Sequence, residues 1–337
     1  MSIVNTFSLQ SNRQIKINFD GGDLSSDAGL LLIKEFISKL GIERLLNRSF
    51  KTNDSAVFRY HTDRDNLLQM IYMIMAGYFE DDASDELTKD PIFFNRMDED
   101  TLKQFQEISQ ILRKRIYSIQ MPQAVILDLA STLLAAYGKQ EGRAFNFHYR
   151  SNGYHPLVCY DGITGDLIKI QLCDGAAYSC TGVTDFLQPI LDEYLNDYPT
   201  IHLLLRGDSG FATPDLYKQC EENGTSYVIR LMENFIKESK SGFDFSAVSS
   251  HNRIVNANRV QVHALAYNIF NWFRRLVLSA KMRKQRIDTV RLKLLKIATK
   301  VVHSARYITF KLCSSCPYKE EFYDTLSAIG KLNVQLE

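Results

Sequence analysis

The sequence predicts an α/β protein: a mixed-sheet core between an N-terminal helical domain and C-terminal helices. Three observations predict it. Hydrophobic residues fall at helical spacing from about Ser26 to Tyr117. From Met121 the period changes, and short apolar runs alternate with helical stretches. After Arg274 the chain turns strongly basic. At 337 residues, the chain is long enough for more than one domain.

Residues up to about Phe19 alternate (Ile15, Ile17, Phe19), which predicts a short strand, and Asp20-Gly21-Gly22 reads as a turn within a first segment, 1–24. In the helical domain, 25–120, Ala28, Leu31, Leu32, Phe36, Ile37 and Leu40 share a face. Leu67, Leu68, Ile71, Ile74, Met75 and Tyr78 share another. The methionines there are read as core. Asp81, Asp82, Asp85 and Glu86 are read as a solvated loop with a helix cap at Ser84.

In the core, 121–250, Ala124–Ala130 is the first strand. His155–Tyr160 and Leu167–Leu172 form an antiparallel hairpin across Asp161-Gly162 and Thr164-Gly165. A helix with Phe186, Leu187, Ile190, Leu191 and Tyr194 on one face comes next, then a strand ending in Leu203-Leu204-Leu205. A helix from Pro214 to Asn223 and a fifth strand, Ser226–Leu231, complete the pattern. Three strands, then helix, strand, helix, strand and helix, is the order of a ribonuclease H-like fold. In that topology the first and fourth strands are neighbours, and carboxylates on them can share a divalent metal.

Asp208 lies where the fourth strand ends, in Arg206-Gly207-Asp208-Ser209-Gly210-Phe211. The end of a core strand facing a crevice suits a metal ligand or catalytic acid. Equally, Asp208 reads as a turn residue capping the next helix. In such folds a third carboxylate comes from the helix after the fifth strand, here Met232–Lys240 with Glu233. Phosphodiester chemistry on two hard cations about 3.5–4 Å apart asks for oxygen ligands, hence carboxylates with Mg²⁺ or Mn²⁺.

Formal net charge is +1, yet from Arg274 to Lys311 twelve basic residues face the single acid Asp288. Lys281, Arg283, Lys284 and Arg286 are the densest part. The segment, 251–337, is read as basic helices with the electrostatic footprint of a phosphate-backbone partner, or as a basic tail without a specific partner. The apolar stretch from Leu67 to Phe79 is too short to span a bilayer, which needs about 20 residues. No secretory signal is visible at Met1-Ser2-Ile3-Val4-Asn5, and the six cysteines are scattered, with Cys313 and Cys316 the only close pair. The expectation is a cytoplasmic, nucleoid-associated protein with reduced thiols.

These residues resemble a bacterial insertion-sequence DDE transposase, of the branch with a Tyr-x-x-Arg-x-x-x-Glu-x-x-x-x-x-x-Lys signature. Ser26-Asp27-Ala28-Gly29, Gly77-Tyr78 and the downstream Asp85, Leu87 and Asp90-Pro91 are similar to that family's helical region. Lys139-Gln140-Glu141-Gly142, Asn146 and Tyr154-His155-Pro156-Leu157 resemble its first hairpin. Leu204–Phe211 is the most specific match, and Asn258 to Arg275 resembles the closing helix, with Ala264, Asn268 and Trp272 on it. The resemblance implies Asp208 and Glu233 as the second and third metal ligands. It also implies Lys240, with Lys237 on the same helix, as a contact to the phosphate beside the active site; a solvated helix face is the other account of Lys240. The implied partner is double-stranded DNA at transposon ends, bound as a monomer or a homodimer, with no membrane.

Two departures set this chain apart. The family's first strand reads Leu-Asp-x-Asp-Ser-Thr, whereas here Leu127-Asp128-Leu129-Ala130-Ser131-Thr132 puts Ala130 at the first acid. Asp128 shares that face but stands about 6.6 Å away along the strand, too far to substitute. The family's β insertion after the fifth strand is absent, so Glu233 follows Leu231 almost directly, and Ser226 and Ile229 fall at the Tyr and Arg positions. Three functions stay open: a transposase that cuts and joins DNA with Mg²⁺, a catalytically dead DNA-binding relative, or another ribonuclease H-like nuclease.

Overall fold

The computed structural model describes residues 6–21, 27–54, 59–78, 94, 96–229, 242–245, 248–304 and 306–335. The N-terminal region contains strands β1 (Phe7–Ser8) and β2 (Ile15–Gly21), then helices α1 (Leu30–Lys39), α2 (Ile42–Ser49), α3 (Asp63–Ala76) and α4 (Glu99–Ile119). Local chemistry fixes the helix ends. Thr62 and Asp65 form a capping box at the start of α3, and Gly77 closes it with φ 86°. Asp98 accepts hydrogen bonds from the Asp100 and Thr101 amides at the start of α4. Phe105, Ile108, Leu112 and Ile116 bury one face of that helix. At the start of α1, the Ala28 and Gly29 amides donate to the Ile297 and Leu295 carbonyls. A side chain at Gly29 would overlap the Leu294 carbonyl oxygen, so glycine is needed for this approach of two backbones.

The central sheet is built from β3 (Ala124–Ser131), β7 (Leu157–Asp161), β8 (Leu167–Gln171), β9 (His202–Gly207) and β10 (Ser226–Ile229). Its order is β10-β9-β3-β7-β8, with β3, β7 and β8 antiparallel and β9 and β10 parallel to β3. This is the ribonuclease H-like order that the strand sequence predicts. Helix α5 (Val183–Asp197) connects β8 to β9, and α6 (Pro214–Glu222) connects β9 to β10. The apolar face expected for the first of these is buried through Phe186, Leu187, Ile190, Leu191 and Tyr194.

Helix α7 (Arg253–Val277) braces the other edge of the core. Asn268 accepts from the Leu167 amide and donates to its carbonyl, both at 2.8 Å, as a neighbouring strand would. Gln261 donates to the Ile170 carbonyl, Tyr267 to that of Gly165, and Asn271 to that of Thr164. One turn from the start of α7, Asn258 bonds Thr101 and the Asp98 carbonyl, tying this helix to the cap of α4.

Two parts of the architecture differ from the expectation. A small sheet, β4-β6-β5, stands beside the core: β4 (Leu134–Ala135), β5 (Ala144–Asn146) and β6 (Ser151–Tyr154). The C-terminal region is not helical throughout. After α7 and the short turns Ala280–Arg283 and Ile287–Val290 come β11 (Thr299–His303) and β12 (Ile308–Cys313), then α8 (Lys319–Lys331). Strand β12 pairs in parallel with β2, giving a four-stranded sheet β1-β2-β12-β11. The two ends of the chain therefore share one sheet, and the first strand is not a separate unit. Ile308, Phe310 and Leu312 alternate with Thr309 and Lys311, a strand pattern that the surrounding basic charge conceals.

Candidate functional site

Asp208 follows the last residue of β9 and is half-buried. Its Oδ1 accepts from the Gly210 amide at 2.7 Å and caps the short helical turn Ser209–Phe211. Buried Phe211 packs beneath, 3.3 Å from where a side chain on Gly207 would stand. The cap and the strand-end position are thus properties of the same residue. Thr213, not Asp208, caps α6.

The pairing of β3 with β9 sets Asp128 opposite Arg206. Continuing that register by two residues puts Ala130 beside Asp208. The first-acid position on β3 therefore carries a methyl group. Asp128 does not compensate. Arg206 grips it with both arms, Nε to Oδ1 at 2.9 Å and Nη2 to Oδ2 at 2.6 Å. Asp128 is 9% exposed, so the pair is largely withdrawn from water on the carboxylate side. Hydrogen bonding to Asp128 raises the Arg206 guanidinium above its ordinary value. Gly162 makes room for the guanidinium: a Cβ there would lie 2.9 Å from Arg206 Nη2.

The end of β3 is held by two loops that sequence patterns do not signal. Ser131 and Ser179 share a hydroxyl hydrogen bond at 2.8 Å, and Tyr149 donates to the Ser131 carbonyl at 3.4 Å. Ser179 also abuts Gly210, whose Cβ position lies 3.3 Å from Ser179 Cβ. His155 Nδ1 bonds the Ala177 carbonyl at 2.7 Å, which requires that nitrogen to carry the proton.

Glu233, Lys237 and Lys240 lie outside the described residues, as do Asp81, Asp82, Asp85 and Glu86. The last described residue of β10, Ile229, pairs with Gly207, the residue before Asp208.

The basic C-terminal segment divides into internal and external charges. Arg275 binds Asp166 at 2.6 Å, Lys296 binds Asp27 at 2.9 Å and Lys311 binds Asp20 at 3.0 Å. Arg291 is buried and donates to the Met75, Ile74 and Gly242 carbonyls, closing the C-terminal end of α3. Lys281, Arg283, Lys284 and Arg286 are exposed together on the turns that follow α7. The reading of the whole segment as a phosphate footprint is therefore corrected: the outward cations concentrate in these four, with Lys300 and Arg306 further along.

Among the described residues, which do not include Glu233, no group of three or more His, Cys, Asp or Glu could hold a metal ion; Ala130 offers no oxygen, and both carboxylate oxygens of Asp128 are bonded to Arg206. A cavity of about 540 Å³ lies elsewhere, among the N-terminal helices against Lys34, Leu68 and Tyr72. No helix among the described residues is long and apolar enough to cross a membrane.

The profile of the family described as transposase DDE domain group 1 matches residues 7–96, 93–232 and 231–334. No curated protein matches the chain. Among solved structures, the chain is similar to the piggyBac transposase synaptic complex with hairpin DNA, at 15% identity and a TM-score of 0.30. That match covers 60% of this chain and 50% of the other, so the chain spans about half the length of that transposase. It is also similar to the large terminase nuclease of the thermophilic phage G20c, at 11% identity and a TM-score of 0.15, over 65% of this chain and 99% of that one.

Proposed function

The chain belongs to the transposase DDE domain group 1 family, and from that premise we propose that it is a DNA-binding member whose strand-cleavage site is crippled. The observation that supports this is the register of β3 on β9, Asp128 opposite Arg206, which extended by two residues brings Ala130, not a carboxylate, level with Asp208. Asp208 and Glu233 keep the residue types of the second and third acids. Losing one preorganised charged group from such a site costs about a hundredfold or more in rate. The family match is split at 93–96 and again at 231–232, and the second split falls where we read the β insertion as missing.

DNA binding does not depend on that site. Lys281, Arg283, Lys284 and Arg286 are outward, and Lys237 and Lys240 follow Glu233 at the family spacing. The partner proposed is double-stranded DNA at the ends of an insertion sequence of bacterial type, gripped by one chain or by a homodimer near the nucleoid. Mg²⁺ or Mn²⁺ is the cation the intact family site would use, and the residues here do not complete that site.

The test is a nicking assay with Mn²⁺ on the chain and on its Ala130→Asp variant. The wild-type chain is expected to bind DNA without cutting it, and the variant to gain metal-dependent nicking. Robust cleavage by the wild-type chain overturns the proposal.

A further inference from the structure

Four large aromatic side chains between Tyr137 and Tyr178 stand exposed. Tyr137 is 82% exposed, Phe147 86%, Tyr178 81% and Phe145 43%. Burial of such rings is favourable, and neighbouring rings left in water mark a contact surface. Phe145 and Phe147 meet edge to face, with centroids 5.2 Å apart. Between them Asn146 turns the chain. Its Oδ1 accepts the His148 and Tyr149 amides at 3.1 and 3.2 Å, and its Nδ2 donates to the Gly175 carbonyl at 2.9 Å. The rings are thus presented by an anchored turn.

Their location is tied to the strand end. Tyr149, two residues after Phe147, bonds the Ser131 carbonyl, and Ser179, the residue after Tyr178, bonds the Ser131 hydroxyl and abuts Gly210. Ser131 directly follows Ala130, and Gly210 holds Asp208. Phe147 and Tyr178 therefore reach solvent from two loops joined at Ser131. Exposed Arg150 stands in the Phe147 loop, and exposed Lys139 two residues after Tyr137. A backbone-tracking charge interleaved with π faces is the surface that binds unpaired nucleotides.

We propose that this face, with Phe147 and Tyr178 at its centre, stacks unpaired bases of a DNA end lying against the Asp208 strand end. The inference rests on the proposed DNA-binding role and adds a structural preference to it: frayed or flapped ends over blunt ones, without a fixed sequence. It needs no metal, since stacking and phosphate contacts do not pass through Ala130. A second copy of the chain is the competing occupant of an exposed aromatic face, but the flanking Lys139 and Arg150 suit a polyanion better.

The experiment uses the full chain and two duplexes of one mixed sequence, blunt or with a five-nucleotide unpaired flap carrying 2-aminopurine. The flapped duplex is expected to bind about tenfold more tightly for each base that stacks, with quenched 2-aminopurine fluorescence. Phe147→Ala and Phe147→Leu should each abolish the preference and the quenching, and Phe147→Trp should keep both, while blunt-duplex affinity and the thermal melt stay unchanged. A flap preference that survives Phe147→Ala and Tyr178→Ala together overturns the inference. So does a dimer that Phe147→Ala dissociates with flap binding intact. If the blunt duplex binds and the flap adds nothing, the inference fails alone; if neither duplex binds, the DNA-binding role fails with it.

Discussion

At the residue scale, the Arg206–Asp128 pair decides what the strand end can do. Two charge-assisted hydrogen bonds occupy both carboxylate oxygens, so Asp128 serves the fold and not a ligand. Removing only the cation would leave a buried carboxylate without its partner. Arg206→Ala is expected to destabilise the protein by about 2 kcal/mol, discounted because the arginine side chain is 31% exposed. Replacing both partners with apolar residues should cost less. Urea midpoints for the single and double variants check this; a double-variant loss equal to the sum of the two single losses would show that the pair carries no coupling. His263 gives a pH prediction of a similar kind. It is buried in α7, with Nδ1 donating to the Phe243 carbonyl, and desolvation pulls its pKa below the ordinary value against the opposing pull of that bond and Asp244. The unfolded chain then binds the proton first, from about pH 6.5 downward. Stability is full above that pH and falls as pH drops from there toward the lowered folded value. Urea midpoints at pH 7.5 and pH 5 should show the fall, and His263→Gln should flatten it; an unchanged slope in the variant would assign the fall to other groups.

At the element scale, α7 converts a helix into a lateral support for a sheet. The Asn268 amide supplies both halves of a backbone-like pairing to Leu167, in a setting where the freed amide and carbonyl of Leu167 would stay buried. Asn268→Ala is expected to cost about 2–3 kcal/mol and Asn268→Asp nearly as much, since a carboxylate cannot donate to the carbonyl. Thermal or urea unfolding measures it. The sequence reaches this helix through its resemblance, but not the role of its amides, because a buried asparagine and a solvated one look alike in a pattern. The core strands were legible because Val125–Leu129, Leu157–Tyr160 and Leu203–Leu205 are apolar runs punctuated by glycines. Strands β4, β5 and β6 were not, since elements of two to four residues carry no measurable period. Strands β11 and β12 alternate properly, yet a charge count over the same stretch masks alternation. The site was legible only where it is local: Asp208 sits in a contiguous motif, while Ser131, Tyr149 and Ser179 meet from a strand end and two loops far apart in sequence.

At the scale of the whole molecule, the proposed DNA binding by a chain with net charge of only +1 rests on charge that is arranged, not abundant. The fold arranges it by sorting. Arg275, Arg291, Lys296 and Lys311 are spent on internal carboxylates and carbonyls that join the N-terminal helices, the core and the terminal sheet. Lys281, Arg283, Lys284 and Arg286 remain outward on a short stretch, where they can meet successive phosphates. Each phosphate neutralised releases counterions, and the logarithm of affinity falls with the logarithm of salt by about 0.9 per contact. Neutralising all four to glutamine should therefore reduce the salt slope by about 3–4 and weaken binding to every DNA sequence alike, without lowering the melting temperature. Neutralising Arg291 and Lys296 instead should unfold or destabilise the protein. Fluorescence-anisotropy titrations across a salt series, paired with thermal melts, separate the two sets. A slope that survives loss of the four exposed cations would move the DNA interface elsewhere on the molecule.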